Sequence, residues 1–174
     1  MTANQLKELV QDIVAEAHQL SVAHTDLSDA PVNYACVFCQ SSEEYTSILS
    51  VARELGSIVH DTAMGPVFHI APLATIAGSL HLLKIRRPDP KRPERGDADF
   101  TVSNYESFKK EHLSNSGWRI IQRPDMEMLE LSDPSFHVLA YYSYPTLEVA
   151  LGITSNGRTS RKPNPHRLKP EVSR

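Results

Sequence analysis

Residues 86–102 read RRPDPKRPERGDADFTV, a stretch that begins as punctuation and ends as a strand. It holds three prolines (Pro88, Pro90, Pro93), five basic residues, the acidic pair Asp97 and Asp99, and a closing Phe100-Thr101-Val102. Three readings compete: a basic patch for nucleic acid, a metal-binding Asp-x-Asp, or a linker that restarts a fold. Proline removes a backbone donor and fixes φ, so a cluster of prolines breaks strand pairing. The Lys and Arg residues between them keep such a crossover solvated, and Gly96-Asp97-Ala98-Asp99 opens a new strand. What lies on either side decides for the linker.

Upstream, apolar positions at Leu6, Val10, Ile13, Val14, Ala17 and Leu20 predict an amphipathic helix over 2–20. An apolar, β-branched strand follows at 32–39. Ser41-Ser42-Glu43-Glu44 is a capping box, and its helix runs to Leu55, where Gly56 is expected to stop it in the left-handed region. Strands follow at 57–61, at 67–73 after the Gly65-Pro66 turn, and at 79–86 after Ala77-Gly78. Downstream the order repeats: a strand at 98–102, a second capping box at Ser103-Asn104-Tyr105-Glu106, a helix ending at Gly117, and strands at 118–122, 126–131 and 136–143. Tyr45 precedes Gly56 by eleven residues and Tyr105 precedes Gly117 by twelve. The chain is therefore an internal βαβββ repeat. The expected class is α+β, two tandem βαβββ modules forming a curled mixed sheet with a cleft. An N-terminal helix and loop (1–29) precede the first module and crossover (30–95), the second module (96–153) and a basic tail (154–174), all within one structural domain.

Composition sets limits on function. Of 174 residues, 40% are hydrophobic and 22% charged, as in ordinary globular proteins. No apolar run approaches the ~20 residues of a membrane span, and the N-terminus lacks the pattern of a signal peptide. The cysteines, Cys36 and Cys39, lie three apart on an expected strand, so their side chains face opposite ways and shared ligation is poor. Two buried free thiols suit a reducing, cytoplasmic setting. The net charge of −3 hides a tail with six basic residues, Arg158 to Arg174, against Glu171 alone. Without interleaved aromatics that tail reads as a solvated extension and not as a nucleic-acid arm. Nor is there a G-x-S-x-G elbow or a glycine-rich phosphate loop.

The doubled βαβββ order, with LSDPSFHVLAYY (131–142) as an Asp-Pro turn leading into a last strand, resembles the vicinal oxygen chelate superfamily of glyoxalases and extradiol dioxygenases. The N-terminal helix, MGPVFHIAPL (64–73), the Pro-rich crossover and the Gly opening the second module are similar to its uncharacterised YecM-like branch. The resemblance spans roughly 30–153. It implies a cleft in which first- and fourth-strand side chains, commonly His and Glu, hold a divalent metal with positions left open for vicinal substrate oxygens. The matching positions here are Asn33, Lys84, Asp99 and Leu139, which do not make such a site.

The expected ligand-binding cleft is therefore lined by Asn33, His69, His81, Lys84, Asp99 and Tyr141, with no cofactor favoured. The alternative is a non-standard site of His69, His81 and Asp99 for Zn, Mn, Ni or Fe, with Asp97 and His137 as further candidates. Strand alternation places His81 on the face opposite Leu80, Leu82 and Lys84. Glu127, Glu130 and Asp125 read as the solvent edge of a strand, with Glu130 a general base only if the cleft surrounds it. Tyr141, Tyr142 and Tyr144 read as core and rim, or more sharply as a ligand-stacking wall. Arg86 and Arg87 read as solvated linker charge before they read as a carboxylate clamp. The first functional reading is a small-molecule-binding protein with the usual metal ligands largely replaced, monomeric or homodimeric. A metal-dependent glyoxalase- or dioxygenase-type enzyme is the second, and an interaction module recruiting an acidic partner through its tail is the third.

Overall fold

The computed structural model describes residues 1–153; the basic tail read in the sequence lies outside the described residues. Helix α1 (Ala3–His24) is started by a capping box, in which the Thr2 hydroxyl accepts from Gln5 N while the Gln5 side chain accepts from Thr2 N. The first module is β1 (Val32–Phe38), α2 (Ser42–Leu55), β2 (Gly56–His60), β3 (Val67–Thr75) and β4 (Gly78–Arg86). The second is β5 (Gly96–Phe100), α3 (Tyr105–His112), β6 (Trp118–Gln122), β7 (Glu127–Leu131) and β8 (Val138–Tyr144), followed by the short α4 (Leu147–Ala150). All eight strands form one open, mixed sheet in the order β2-β3-β4-β1-β5-β8-β7-β6. The fold is α+β, with two tandem βαβββ units in a curled sheet behind an N-terminal helix.

The two units meet where β1 pairs antiparallel with β5, Ala35 opposite Ala98. Each of these central strands is flanked by the last strand of its own unit in parallel, β1 by β4 and β5 by β8. A local twofold through the Ala35/Ala98 pair exchanges the units, carrying Cys36 onto Asp99 and Tyr34 onto Asp97. One face of the sheet is covered by helices. There the buried stripe of α1 packs with Ala35, Val37, Leu83, Ile85, Ala98, Ala140 and Tyr142. Alpha-one lies along β8, β5, β1 and β3, so it covers a face and not an edge. A buried hydrogen bond of 2.6 Å between the hydroxyls of Ser21 and Tyr142 fixes its seat.

The cysteines divide as alternation requires: Cys39 joins the helix-covered core and Cys36 the inner face, both buried and free. Several local expectations are corrected. Ser41 caps α2 through Glu44 N at 3.1 Å, but the Glu44 carboxylate turns to Gln40 N and to Arg95 instead of completing the box. Asn104, not Ser103, caps α3. Helix α3 ends at His112, several residues before Gly117, whose φ of +88° serves the turn into β6. Gly56 is extended, with φ −176°, and is the first residue of β2. It is a glycine because a Cβ there would lie 2.0 Å from the carbonyl oxygen of His69 on the neighbouring strand.

The crossover is tied down as well as solvated. Arg95 pairs with Glu44 at 2.6 Å and donates to Phe38 O at 2.9 Å, and Arg86 pairs with Asp89 at 2.7 Å. Among the described residues no helix is long and apolar enough to cross a membrane. The close approach at Gly56 predicts that Gly56→Ala, despite an undemanding φ, destabilises by about 1–3 kcal/mol, as forced overpacking does. The midpoint of urea unfolding measures this, and an unchanged midpoint would show that β2 and β3 separate freely.

Candidate functional site

The face away from the helices carries a second buried cluster: Tyr34, Cys36 and Phe38 of β1, Val67 of β3, Leu82 of β4, and Leu139 and Tyr141 of β8. Leu147 and Leu151 pack on it from the chain after β8, and Ile153 joins it. Three polar situations are set into this apolar floor, and they differ in how well each charge is met.

The first is a row across three neighbouring strands. Lys84 stands beside Cys36 in β4, and Asp97 stands opposite Cys36 in β5. Asp97 is 6% exposed, and its Oδ1 is buried with no hydrogen-bond partner. Burial, followed by the nearby charge of Asp99, holds its carboxyl well above the usual carboxylate range, with Lys84 and Arg86 pulling the other way. Lys84 is half-buried, and its side chain makes no hydrogen bond or ion pair among the described residues. Burial also pushes up the Cys36 thiol and the Tyr34 hydroxyl, and the thiol donates to the Val37 carbonyl at 3.9 Å. Arg86 borders the row with its guanidinium 4.8 Å above the Phe38 ring and its Nε buried without a partner.

The second is Glu130, buried at 2% exposure and not at a solvent edge. It accepts from Arg119 Nε at 2.5 Å, from Arg92 Nη2 at 3.2 Å and from the Tyr141 hydroxyl. Burial alone would raise its carboxyl, but the hydrogen bonds of Arg119 and Tyr141 and the charge of Arg92 bring it below its ordinary value. Tyr141 is thereby occupied, its own hydroxyl pushed far up by burial and by the charges of Asp97 and Glu130.

The third is Asp99, buried and fully engaged. It accepts from Ser143 N at 3.1 Å, from the Ser143 hydroxyl and from Asn33 Nδ2 at 3.3 Å. Asn33 also donates to the Thr101 hydroxyl at 3.0 Å. Burial outweighs these bonds and pushes the Asp99 carboxyl up to about 6.

Of the six residues expected to line the cleft, Lys84 and Tyr141 stand on the inner face, and Asn33 and Asp99 are brought together as a structural tie between β1 and β5. His69 and His81 stack on each other, ring centroids 6.1 Å apart, toward the outer part of the first module. The pairing of β3 with β4 shifts register between His69 and Leu73. Leu80 consequently packs on the helical face and Leu82 on the inner face, so the simple alternation expected around His81 does not hold. Strands β4 and β1 separate β3 from β5, about 14 Å of sheet at the usual strand spacing. His69, His81 and Asp99 are thus not brought together, and among the described residues no three His, Cys, Asp or Glu side chains form a group able to hold a metal ion.

Of the positions matched to the superfamily's ligands, Lys84 pairs with Cys36 and Leu139 with Asp97. The pairing of β1 with β5 is irregular between Val32 and Tyr34, at Asn33. The residues that sequence reasoning missed are Tyr34, Cys36 as part of the site, Arg92 and the burial of Glu130. Alternation along β1 carried the signal for Tyr34, Cys36 and Phe38; nothing in a Pro-rich crossover marks Arg92 as reaching a buried carboxylate. At the rim, a cavity of about 410 Å³ lies between Pro93 and Glu94 of the crossover and the β7–β8 turn, and it extends to Leu139, the strand neighbour of Asp97.

No family model and no curated protein matches the chain. It is similar to a solved structure described as "Structural Genomics, Protein EC4020", with 13% identity and a TM-score of 0.53 over 78% of this chain and 87% of that one. At that identity the likeness is one of fold.

The raised Asp97 carboxyl has a consequence for stability. In the folded chain it keeps its proton at pH values where the unfolded chain, with a carboxyl near the usual ~4, has released it. The native state then binds more protons, so this residue lowers stability as pH rises from about 4 toward its folded value. Asp97→Asn removes the effect. Its melting temperature relative to wild type should climb steadily as pH rises above the ordinary carboxyl value of ~4, and a difference independent of pH would refute the assignment.

Proposed function

We propose that this chain is a small-molecule-binding protein of the vicinal oxygen chelate type, cytoplasmic, in which the usual metal ligands have been replaced. Its ligand sits on the inner face, over Cys36 and between Lys84 and Asp97. The observation that carries this reading is the buried Oδ1 of Asp97, without a partner, two strands from an ammonium group that also has none among the described residues. A buried polar atom left unpaired costs roughly 1–3 kcal/mol, and such a cost is met where a ligand completes the hydrogen bond. The surroundings suit a binding site: an apolar lining of Phe38, Leu82 and Leu139 with a few convergent polar groups, the usual make-up of small-molecule pockets. The thiols of Cys36 and Cys39, buried and free, support the cytoplasmic assignment.

The test is a thermal-shift screen of metabolite-sized compounds, with mass spectrometry of anything released when the purified protein is denatured. A true ligand at a hundredfold excess over Kd should stabilise by about 2.7 kcal/mol. The gain should vanish in Cys36→Leu, which raises the floor of the site while circular dichroism reports an intact fold. Ligands that stabilise wild type and Cys36→Leu alike would place binding elsewhere and defeat the proposal, as would a screen with no stabilising compound.

A further inference from the structure

The chemistry of the row at Cys36 narrows the ligand class, an inference that rests on the binding reading above. On the β4 side stand two cations with unmet donors. Lys84 offers an ammonium group, and Arg86 has a buried Nε without a partner while its Nη2 is held by Asp89 at 2.7 Å. On the β5 side stands one carboxyl group with a free oxygen. Lys84 and Asp97 form no ion pair, and their strands lie two spacings apart, about 10 Å. A cationic ligand would have to settle beside Lys84 and Arg86. A dianion would face Asp97, Asp99 and Glu130 within the same buried floor. A single negative charge satisfies the cations and leaves one oxygen for the carboxyl group of Asp97.

We propose that the inner face binds a small monocarboxylate, with one carboxylate oxygen on the Lys84 ammonium group and the other accepting a hydrogen bond from the Asp97 carboxyl group above the Cys36 thiol. The apolar body of the ligand lies against Phe38, Leu82 and Leu139, which are buried around the row. Asp97 serves here as a donor. Its raised carboxyl agrees with that role, because a buried acid that retains its proton donates to an anion without repelling it. An ammonium-bearing ligand would demand the opposite, an ionised Asp97.

Three probes of one shape separate these cases: benzoate, benzamide and benzylammonium, titrated calorimetrically into the full-length protein. Benzoate should bind at least about tenfold more tightly than either analogue. Lys84→Met, or Lys84→Gln if the first variant folds poorly, should abolish that preference. Asp97→Asn still offers a donor and should change benzoate affinity less than about threefold, whereas Asp97→Leu should weaken it more than about tenfold. Equal or tighter binding of benzamide or benzylammonium, an unaffected Lys84 variant, or no binding of benzoate would each overturn the proposal. A neutral or cationic compound from the screen whose binding is lost in Cys36→Leu would overturn it too, while leaving the binding function of the inner face standing.

Discussion

The antiparallel pairing of β1 with β5 is the constraint on which the rest of this structure depends. It joins two units whose other strands touch only their own kind, and it sets Cys36 opposite Asp97 and Tyr34 opposite Asp99. The joint is close. A Cβ on Gly96 would lie 2.3 Å from the carbonyl oxygen of Cys36 and 2.8 Å from the Cδ1 of Ile13, so β5 can begin there only with a residue that lacks one. The crossover that delivers the chain to this point is pinned at its last residue. Arg95 N donates to His137 O at 2.6 Å, Arg95 O accepts from Phe38 N at 2.9 Å, and the guanidinium spans to Glu44. A segment with the composition of a flexible linker thus acts as a clamp on both units and on the start of α2.

Three buried carboxyl groups on one sheet face form a graded series. Glu130 meets two guanidinium groups and a phenol and falls below its ordinary value despite burial. Asp99 meets only neutral donors, two from Ser143 and one from Asn33, and burial wins. Asp97 has an oxygen with no donor, and burial together with its neighbour Asp99 raises it further. Charge-assisted hydrogen bonds are roughly twice as strong as neutral ones, so the identity of the donors, more than their number, separates Glu130 from Asp99. Two of the three are therefore accounted for by the fold itself, and Asp97 is not.

The fold was largely legible because its signals are local and repeated: amphipathic spacing in α1, Ser41 before α2, the Asp133-Pro134 turn, and a cluster of prolines in the crossover where pairing stops. The errors came where a tertiary contact overrides a local rule. Gly56 looks like a helix terminator because glycine commonly is one, but its role is to let β2 approach His69. His81 was misplaced because alternation runs only between irregularities, and the one sequence mark of the break between His69 and Leu73 is Pro72 inside β3. The site was legible in part. Lys84 and Asp97 could be placed near the centre from the repeat alone. Arg92 and Glu130 could not be paired, since 38 residues and two strands separate a linker cation from an acid that reads as solvent-facing.

The twofold explains why the unmet charge falls on the first unit. Lys84 pairs with Cys36 and Tyr141 with Asp99, so the operation that carries Cys36 onto Asp99 also carries Lys84 onto Tyr141. On the next strand outward, Lys84 faces Val67 and Tyr141 faces Glu130. The second unit therefore supplies its central polar side chain with a carboxylate partner and closes the network with Arg92 and Arg119. The first unit offers a valine at the same place. An ammonium group beside Val67 finds no anion on its own half of the sheet, and the nearest candidate across the joint, Asp97, stands too far away to pair. The backbone symmetry is that of a duplicated unit, whereas the side chains break it in one direction: the second unit's Tyr141 has its carboxylate, the first unit's Lys84 has none, and a third, bridging group can join that cation to the carboxyl group of Asp97 across the joint.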